Sequence, residues 1–327
     1  MIYWNDTGTV AGIRLFLVVV SMIFGGLAAL ASIASLFGST WWLFDYFANL
    51  RWYFLWILVA AAVIYSLTAG GWMLLVFIAT AALNAYFIVP LWLGSQPEST
   101  GEAGFTVVSV DVDGGFSDRD EAFDWFTTVD ADLLILANAS SVVSTAVVGD
   151  EESDWIVLRE PEIENTTGFV ILAKQEWDIA EMPTGNGSDS VLRITVGTDE
   201  TYQIVTAAGT TATSASGAKR LEDRIDTIRS ITDQSSDPVT VIGNLGATMW
   251  AHPLVGLVAD TDLRDATKGS GYHATSIAWN LPLVGGWIGL PLDVVMMTSD
   301  ITPIDFGTGP DIGTSHLPVT VTIGPTV

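Results

Sequence analysis

The side chains that could do chemistry are few in type. The chain holds 37 Asp and Glu against 12 Lys and Arg, three histidines (His252, His273 and His316) and no cysteine. No disulfide, thiolate metal site or cysteine nucleophile can therefore form, and a zinc centre built from several imidazoles is not expected. His252 and His273 have no supporting spacing and read as surface or structural residues. Asp111-Val112-Asp113-Gly114-Gly115 opens like a calcium loop, but an EF-hand-type loop starting at Asp111 needs its closing Glu where Ala122 stands. The run Asp150-Glu151-Glu152-Ser153-Asp154, followed by Glu160, Glu162 and Glu164, reads as a solvated loop. There is no Gly-x-Ser-x-Gly elbow, phosphate-cradling loop or dinucleotide fingerprint.

The elements that must position these groups fall into two regions of unlike composition. Up to Ser95 the only charged side chains are Asp6, Arg14, Asp45 and Arg51, so of the 37 acids and 12 bases the remaining 232 residues hold 35 and 10, and with them the whole formal charge of −25. A single soluble globule does not divide its charge this way. The reading is a membrane module over 1–95, a linker over 96–104 and an acidic soluble domain over 105–327. Three apolar stretches, about Leu15–Phe37, Trp52–Ala69 and Trp72–Leu93, are each long enough to cross a hydrocarbon core of about 30 Å as helices. Gly25, Gly26, Ala28 and Ala29 offer a close-packing face on the first, and Trp41, Trp42, Trp52 and Trp56 bracket the first connection as an interfacial belt. Three spans put the termini on opposite sides, but Arg14 and Arg51 give opposite orientations under the positive-inside rule. No ionisable residue lies in the middle of a span, so anchoring or lateral packing is expected rather than ion transport.

Beyond the linker, strands are predicted over Phe105–Val110, Leu133–Ala137, Phe169–Ala173, Leu192–Val196, Tyr202–Thr206, Val239–Ile242, Val294–Thr298 and Val319–Ile323, with a tight turn at Asn186-Gly187. Helices are predicted over Asp118–Thr127 and Ala218–Thr232, the second with Leu221, Ile225, Ile228 and Ile231 on one face. Many strands and few helices point to a layered α/β sandwich. A pI near 4.1 argues against nucleic acid as a partner, because polyanion binding needs a basic groove.

The order of short motifs adds a family likeness. Val107-Val108-Ser109-Val110 leads to Asp111, and Leu133-Leu134-Ile135-Leu136 leads to Ala137-Asn138. Gly243-Asn244-Leu245-Gly246, Leu263-Arg264-Asp265-Ala266, Leu292-Asp293-Val294 and Gly313-Thr314-Ser315-His316-Leu317-Pro318 follow in turn. In this order and spacing Phe105–Ile323, about two-thirds of the chain, resembles the endonuclease/exonuclease/phosphatase superfamily of metal-dependent phosphodiesterases and phosphatases. The likeness implies an α+β protein: three transmembrane helices, then a four-layer α/β/β/α sandwich. Family members with three amino-terminal spans and an external hydrolase-like domain also look like this chain, which implies a multi-pass cell-membrane protein with its domain outside the cytoplasm.

Superfamily chemistry needs a hard divalent cation, usually magnesium, held by carboxylate and amide oxygens. Against that pattern, the Glu position is Asn138, the acid of Gly-Asp-Phe-Asn is Asn244, its amide is Gly246, and the acid before the final histidine is Ser315. A central His falls near Ala207 or Ala208. Asp111 adds one carboxylate where the family has an amide. Asp293 and His316 match the carboxylate–histidine pair of active relatives, as a general acid/base dyad or as a buried pair kept for packing. The expectation is a catalytically inactive, hydrolase-like membrane protein without a metal cofactor, acting as an accessory or scaffold subunit beside membrane lipids and other membrane protein subunits. The alternative is a divergent phosphodiesterase or phosphatase of envelope or lipid phosphates, using Asp111, Asp293 and His316 with magnesium. A third reading, a cleft that grips a phosphate or sugar without turnover, is separated by ligand-induced thermal stabilisation.

Overall fold

A computed structural model describes residues 7–102, 104–113, 115, 116, 118–149, 153–161, 168–183, 190–197, 201–276 and 288–327. The acidic residues at 150–152, Glu162, Glu164, Gly114 and the Asn186-Gly187 turn lie outside these. The chain divides into two compact units, Met1–Pro90 with Trp250–His252, and Leu91–Met249 with Pro253–Val327.

In the first unit, α1 (Thr7–Ala34), α2 (Trp42–Asn49), α3 (Arg51–Thr68) and α4 (Trp72–Ile88) follow one another. Ala28, Ala29, Leu58, Ala61, Tyr65, Phe77 and Ala81 form its core. Gly25 lets the helices approach: a Cβ there would lie 2.7 Å from Ala61 Cβ and 2.8 Å from the Phe77 ring. Gly26, expected on the same face, looks into open space. Deep in the packing the Asn84 amide donates to Ser32 Oγ at 2.8 Å, a side-chain bond between α4 and α1.

Two helices, Val10–Phe37 and Arg51–Thr68, are long and apolar enough to cross a membrane. The third expected span is not one continuous helix. Its first part, α4, has 17 residues, about 26 Å against a core of about 30 Å, and ends at Ile88: the Val89 N–H still bonds the Ala85 carbonyl, but Pro90 has no N–H to continue the ladder. Pro90 then opens the four-residue α5 (Pro90–Leu93).

The second unit contains β1 (Phe105–Asp111), α6 (Arg119–Thr128), β2 (Leu133–Ala139), α7 (Ser141–Val148), β3 (Ile156–Arg159), β4 (Gly168–Ala173), β5 (Asp178–Pro183), β6 (Ser190–Val196) and β7 (Tyr202–Ala207). It continues with α8 (Ala215–Gln234), β8 (Val239–Asn244), α9 (His252–Asp260), β9 (Arg264–Asp265), β10 (Asp293–Met297), β11 (Ile301–Thr308) and β12 (Val319–Pro325). The strands form two six-stranded sheets, in the orders β11-β12-β1-β2-β4-β3 and β5-β6-β7-β8-β10-β9. Alternate residues of both sheets, among them Val107, Leu133, Ile135, Ile194, Ile204 and Val295, pack into one buried layer between them. On the outer face of the first sheet, Ala122 and Phe126 of α6 and Val143 and Val147 of α7 cover Val108, Val110, Leu134 and Leu136. The buried face of α8 (Leu221, Ile225, Ile228 and Ile231) lies against β6 of the second. The result is an α/β/β/α sandwich.

Strands at the sheet edges break the expected pattern. β11, a strand that the sequence pattern does not predict, contains Pro303 and Gly307, yet as an edge strand with a register shift between Pro303 and Asp305 it loses nothing by the missing N–H. Residues of the expected linker also bond to this unit: the Gln96 amide donates to the Asp265 and Lys268 carbonyls at 3.1 and 3.0 Å, and Ser99 bridges Thr326.

Candidate functional site

Parallel pairing of β1 and β2 sets Asp111 opposite Ala137, so the next residue on β2 reaches the end of β1. That residue, Asn138, has φ 57° and sits in a register shift between Leu136 and Ala139. Asn tolerates the left-handed region better than most residues, and such an irregularity turns a side chain away from the regular alternation. Its Nδ2 donates to Asp111 Oδ1 at 2.7 Å. In the other sheet, antiparallel pairing of β8 and β10 sets Asn244 directly beside Asp293. Asn244 Nδ2 crosses between the sheets to Asp111 Oδ2, also at 2.7 Å.

The orientation of Asn244 is fixed from its other side, where Oδ1 accepts the Gly246 N–H at 2.8 Å. Asp111, 2% exposed, receives a third donor in the Asp113 N–H, 3.0 Å from Oδ1. Three of the roughly four acceptor positions of a carboxylate are thus filled by N–H groups.

His316 lies on the opposite side of Asn244. Its Nδ1 is 2.6 Å from Asp293 Oδ2, and Nε2 is 3.5 Å from Asn244 Nδ2, a contact that needs Nε2 as the acceptor. Burial, the largest single influence, lowers the His316 pKa, but the charge and hydrogen bond of Asp293, aided by Asp111 and Asp113, outweigh it and leave the value above normal. The Asp293 N–H donates to Thr275 Oγ1 at 3.0 Å, and Leu317 N–H to the Thr275 carbonyl at 2.7 Å, so one threonine steadies both members of the pair. Asp293 Oδ1 is buried with no hydrogen-bond partner among the described residues.

Five of the six sequence-predicted positions therefore meet in one chain of contacts, Asn138–Asp111–Asn244–His316–Asp293. Ser315 joins only indirectly: it is exposed, and its Oγ donates to the Asp113 carbonyl at 2.8 Å. His252 is exposed at the start of α9, and His273 pairs with the Ser270 carbonyl at 2.9 Å.

Sequence reasoning missed the loop after β7. Gly246 has φ 74°, and a Cβ there would come within 2.4 Å of the Thr210 carbonyl, so this loop fills the space a side chain would take. Buried Arg224 of α8 holds the loop by donating to the Ala208 carbonyl at 2.9 Å. The signal was a lone base on the apolar face formed by Leu221, Ile225 and Ile228.

No protein-family model and no curated protein matches the sequence. Solved structures do. An endonuclease/exonuclease/phosphatase from Beutenbergia cavernae DSM 12333 aligns with a TM-score of 0.51 and 13% identity, covering 69% of this chain and 72% of that one. The human Nocturnin catalytic domain with bound sulfate aligns at 0.52 and 12%, covering 68% and 94%. A mannosyl-6-phosphatase from Bacteroides thetaiotaomicron aligns at 0.50 and 10%, covering 67% and 99%. The sandwich has the endonuclease/exonuclease/phosphatase fold. Such low identities establish the architecture alone.

The divalent cation implied by a likeness to this superfamily does not fit the residues present. A hard cation needs anionic oxygens facing it, and both Asp111 oxygens already face amide hydrogens. Asn244 could offer its oxygen only by rotating away from Gly246. Among the described residues no group of three or more His, Asp or Glu is placed to hold a metal ion.

Proposed function

We propose that the chain is a membrane-anchored, catalytically inactive hydrolase-like protein that works as an accessory or scaffold subunit of a membrane assembly. One observation carries this reading: two side-chain amides occupy both oxygens of Asp111 where a cation-dependent hydrolase presents oxygens to its ion. In the ion's stead, the Asn138 donor ties the ends of β1 and β2 and the Asn244 donor ties the two sheets together. Cross-linking of that kind keeps the fold and abandons the reaction.

The membrane part of the proposal takes α4 as a third, short span. α1 and α3 run antiparallel, since Arg14 near the start of α1 bonds the Thr68 carbonyl at the end of α3, and α4 runs parallel to α1, as the Ser32–Asn84 bond requires. Arg51 is 2% exposed, with its guanidinium 3.9 Å from the centre of the Phe87 ring. A buried cation is a poor topology signal, which leaves Arg14 as the exposed one. The positive-inside rule then supports a cytoplasmic amino terminus and a sandwich on the far side.

A second reading, a divergent phosphodiesterase or phosphatase, draws on the intact Asp293–His316 pair and the unpartnered Asp293 oxygen. Assay of the purified full chain against phosphodiester and phosphomonoester substrates, with magnesium or manganese, separates the two. The scaffold reading expects no turnover beyond that of His316→Ala; turnover that His316→Ala abolishes selects the hydrolase.

A further inference from the structure

At the amino-terminal end of α1 an open groove of about 760 Å³ runs between α1 and α3. Its walls are apolar: Val10, Leu15, Val18 and Ala69 line it, and Val10 and Leu15 are 63% and 66% exposed. Among the described residues a single cation, Arg14, stands in it. Arg14 is exposed, and its Nε donates to the Thr68 carbonyl at the carboxy-terminal end of α3, where the helix dipole favours positive charge. One edge of the guanidinium is thereby anchored. Its two terminal amino groups have no hydrogen-bond or ion-pair partner among the described residues. The flat fork they form matches two oxygens of a phosphate.

We infer that this groove holds one acidic phospholipid, its phosphate on the Arg14 amino groups and an acyl chain along Val10, Leu15 and Val18, a site that rests on α1 and α3 crossing the bilayer as proposed above. Charge complementarity selects the occupant. The groove offers one fixed positive charge at the level where helices begin and end, beside apolar walls that a water-soluble anion would leave uncovered. A zwitterionic lipid brings its own cation to the same place and gains less.

Detergent-purified full chain is titrated with phosphatidylglycerol and with phosphatidylcholine, and bound lipid is read by native mass spectrometry. Phosphatidylglycerol is expected to bind about fivefold more tightly. That preference disappears in Arg14→Gln and survives in Arg14→Lys, which also controls for folding. Equal binding of the two lipids overturns the site, as does an unchanged preference in Arg14→Gln. Displacement of the lipid by equimolar inorganic phosphate also overturns it, by marking a free-anion site. Alkaline extraction of native membranes tells the two levels apart: a chain released from the pellet defeats the spanning reading and the lipid site together, whereas a chain that stays but shows no lipid preference defeats the lipid site alone.

Discussion

At the ends of β1, β2 and β8, Asp111 sits among three N–H donors. Beyond Asn244, at the start of β10, Asp293 faces one imidazole and leaves an oxygen unpartnered. The two carboxylates are both buried, but their charges are balanced differently. Asp111 is balanced by neutral dipoles that hold it only while it is the one anion among them. Asp293 is balanced by a group that can itself carry charge. Amides at the ends of β2 and β8 can bond a carboxylate that further acids there would repel; a carboxylate–histidine pair carries its own counter-charge and needs no such neighbours.

The strongest way to break this comparison is to place acids at the two amide positions. Asn138→Asp with Asn244→Asp removes two donors from Asp111 and crowds three carboxylates together. Thermal and denaturant melting in chelator should show a loss of about 3 to 5 kcal/mol, the scale for leaving buried charge uncompensated. Magnesium or manganese should restore part of it in the double variant and leave the parent unchanged. Unchanged stability in chelator would mean the amides are not what holds Asp111.

Removing the charge from Asp111 sharpens the same point with a smaller effect. In Asp111→Asn one oxygen becomes an NH₂ facing the donor of Asn138 or Asn244. A loss of about 2 to 3 kcal/mol is expected, from one charge-assisted bond and one donor left unsatisfied. The equivalent change at Asp293 should behave differently, because it takes away the main influences that raise the His316 pKa and leaves burial, which lowers it.

The pH dependence of His316 has a definite sign. The His316 pKa in the folded chain is above the ordinary 6.5, so folding strengthens proton binding. The stability contributed by the pair is full below about 6.5 and is lost as pH rises through the folded value. Buried Asp265, whose pKa burial raises against the opposing Thr267 hydrogen bonds and Lys268, adds a loss of the same sign starting from 3.8. Subtracting the stability–pH curve of His316→Gln from that of the parent isolates the His316 part, and a flat difference would show that the pair does not titrate in the folded state.

Much of the sandwich was legible because its central strands are short apolar runs with unambiguous breaks. Val239–Ile242 and Phe169–Ala173 are buried on both sides and could be read without a partner. Edge strands such as β5, with Asp178 and Glu181, could not, since an edge needs only half its face apolar. The positions of Asn138 and Asn244 were legible from motif order, but their bonding was not: Asn138 reaches Asp111 through an irregularity in β2 that no periodicity encodes. The closeness of the Thr210 carbonyl to Gly246 belongs to a loop held by Arg224, 14 residues further along the chain. The break inside the third expected span was not legible, because composition continues smoothly through Val89-Pro90 while the helix does not.

The smallest expected effect belongs to Ser315. Its hydroxyl makes one bond, to the Asp113 carbonyl, from an exposed position, and touches neither Asp111 nor His316 directly. Ser315→Ala should cost about 0.5 to 1 kcal/mol and leave the His316 pH dependence as it was. Ser315→Asp replaces that donor with an acceptor facing the same carbonyl, and places an anion near Asp113. It should lower stability further and raise the His316 pKa, which proton NMR of the imidazole reads directly. If Ser315→Ala instead cost as much as Asp111→Asn, the loop bearing Ser315 would belong to the hydrogen-bonded centre, and the division between a dipole-balanced and a charge-balanced carboxylate would have to be redrawn around Asp113.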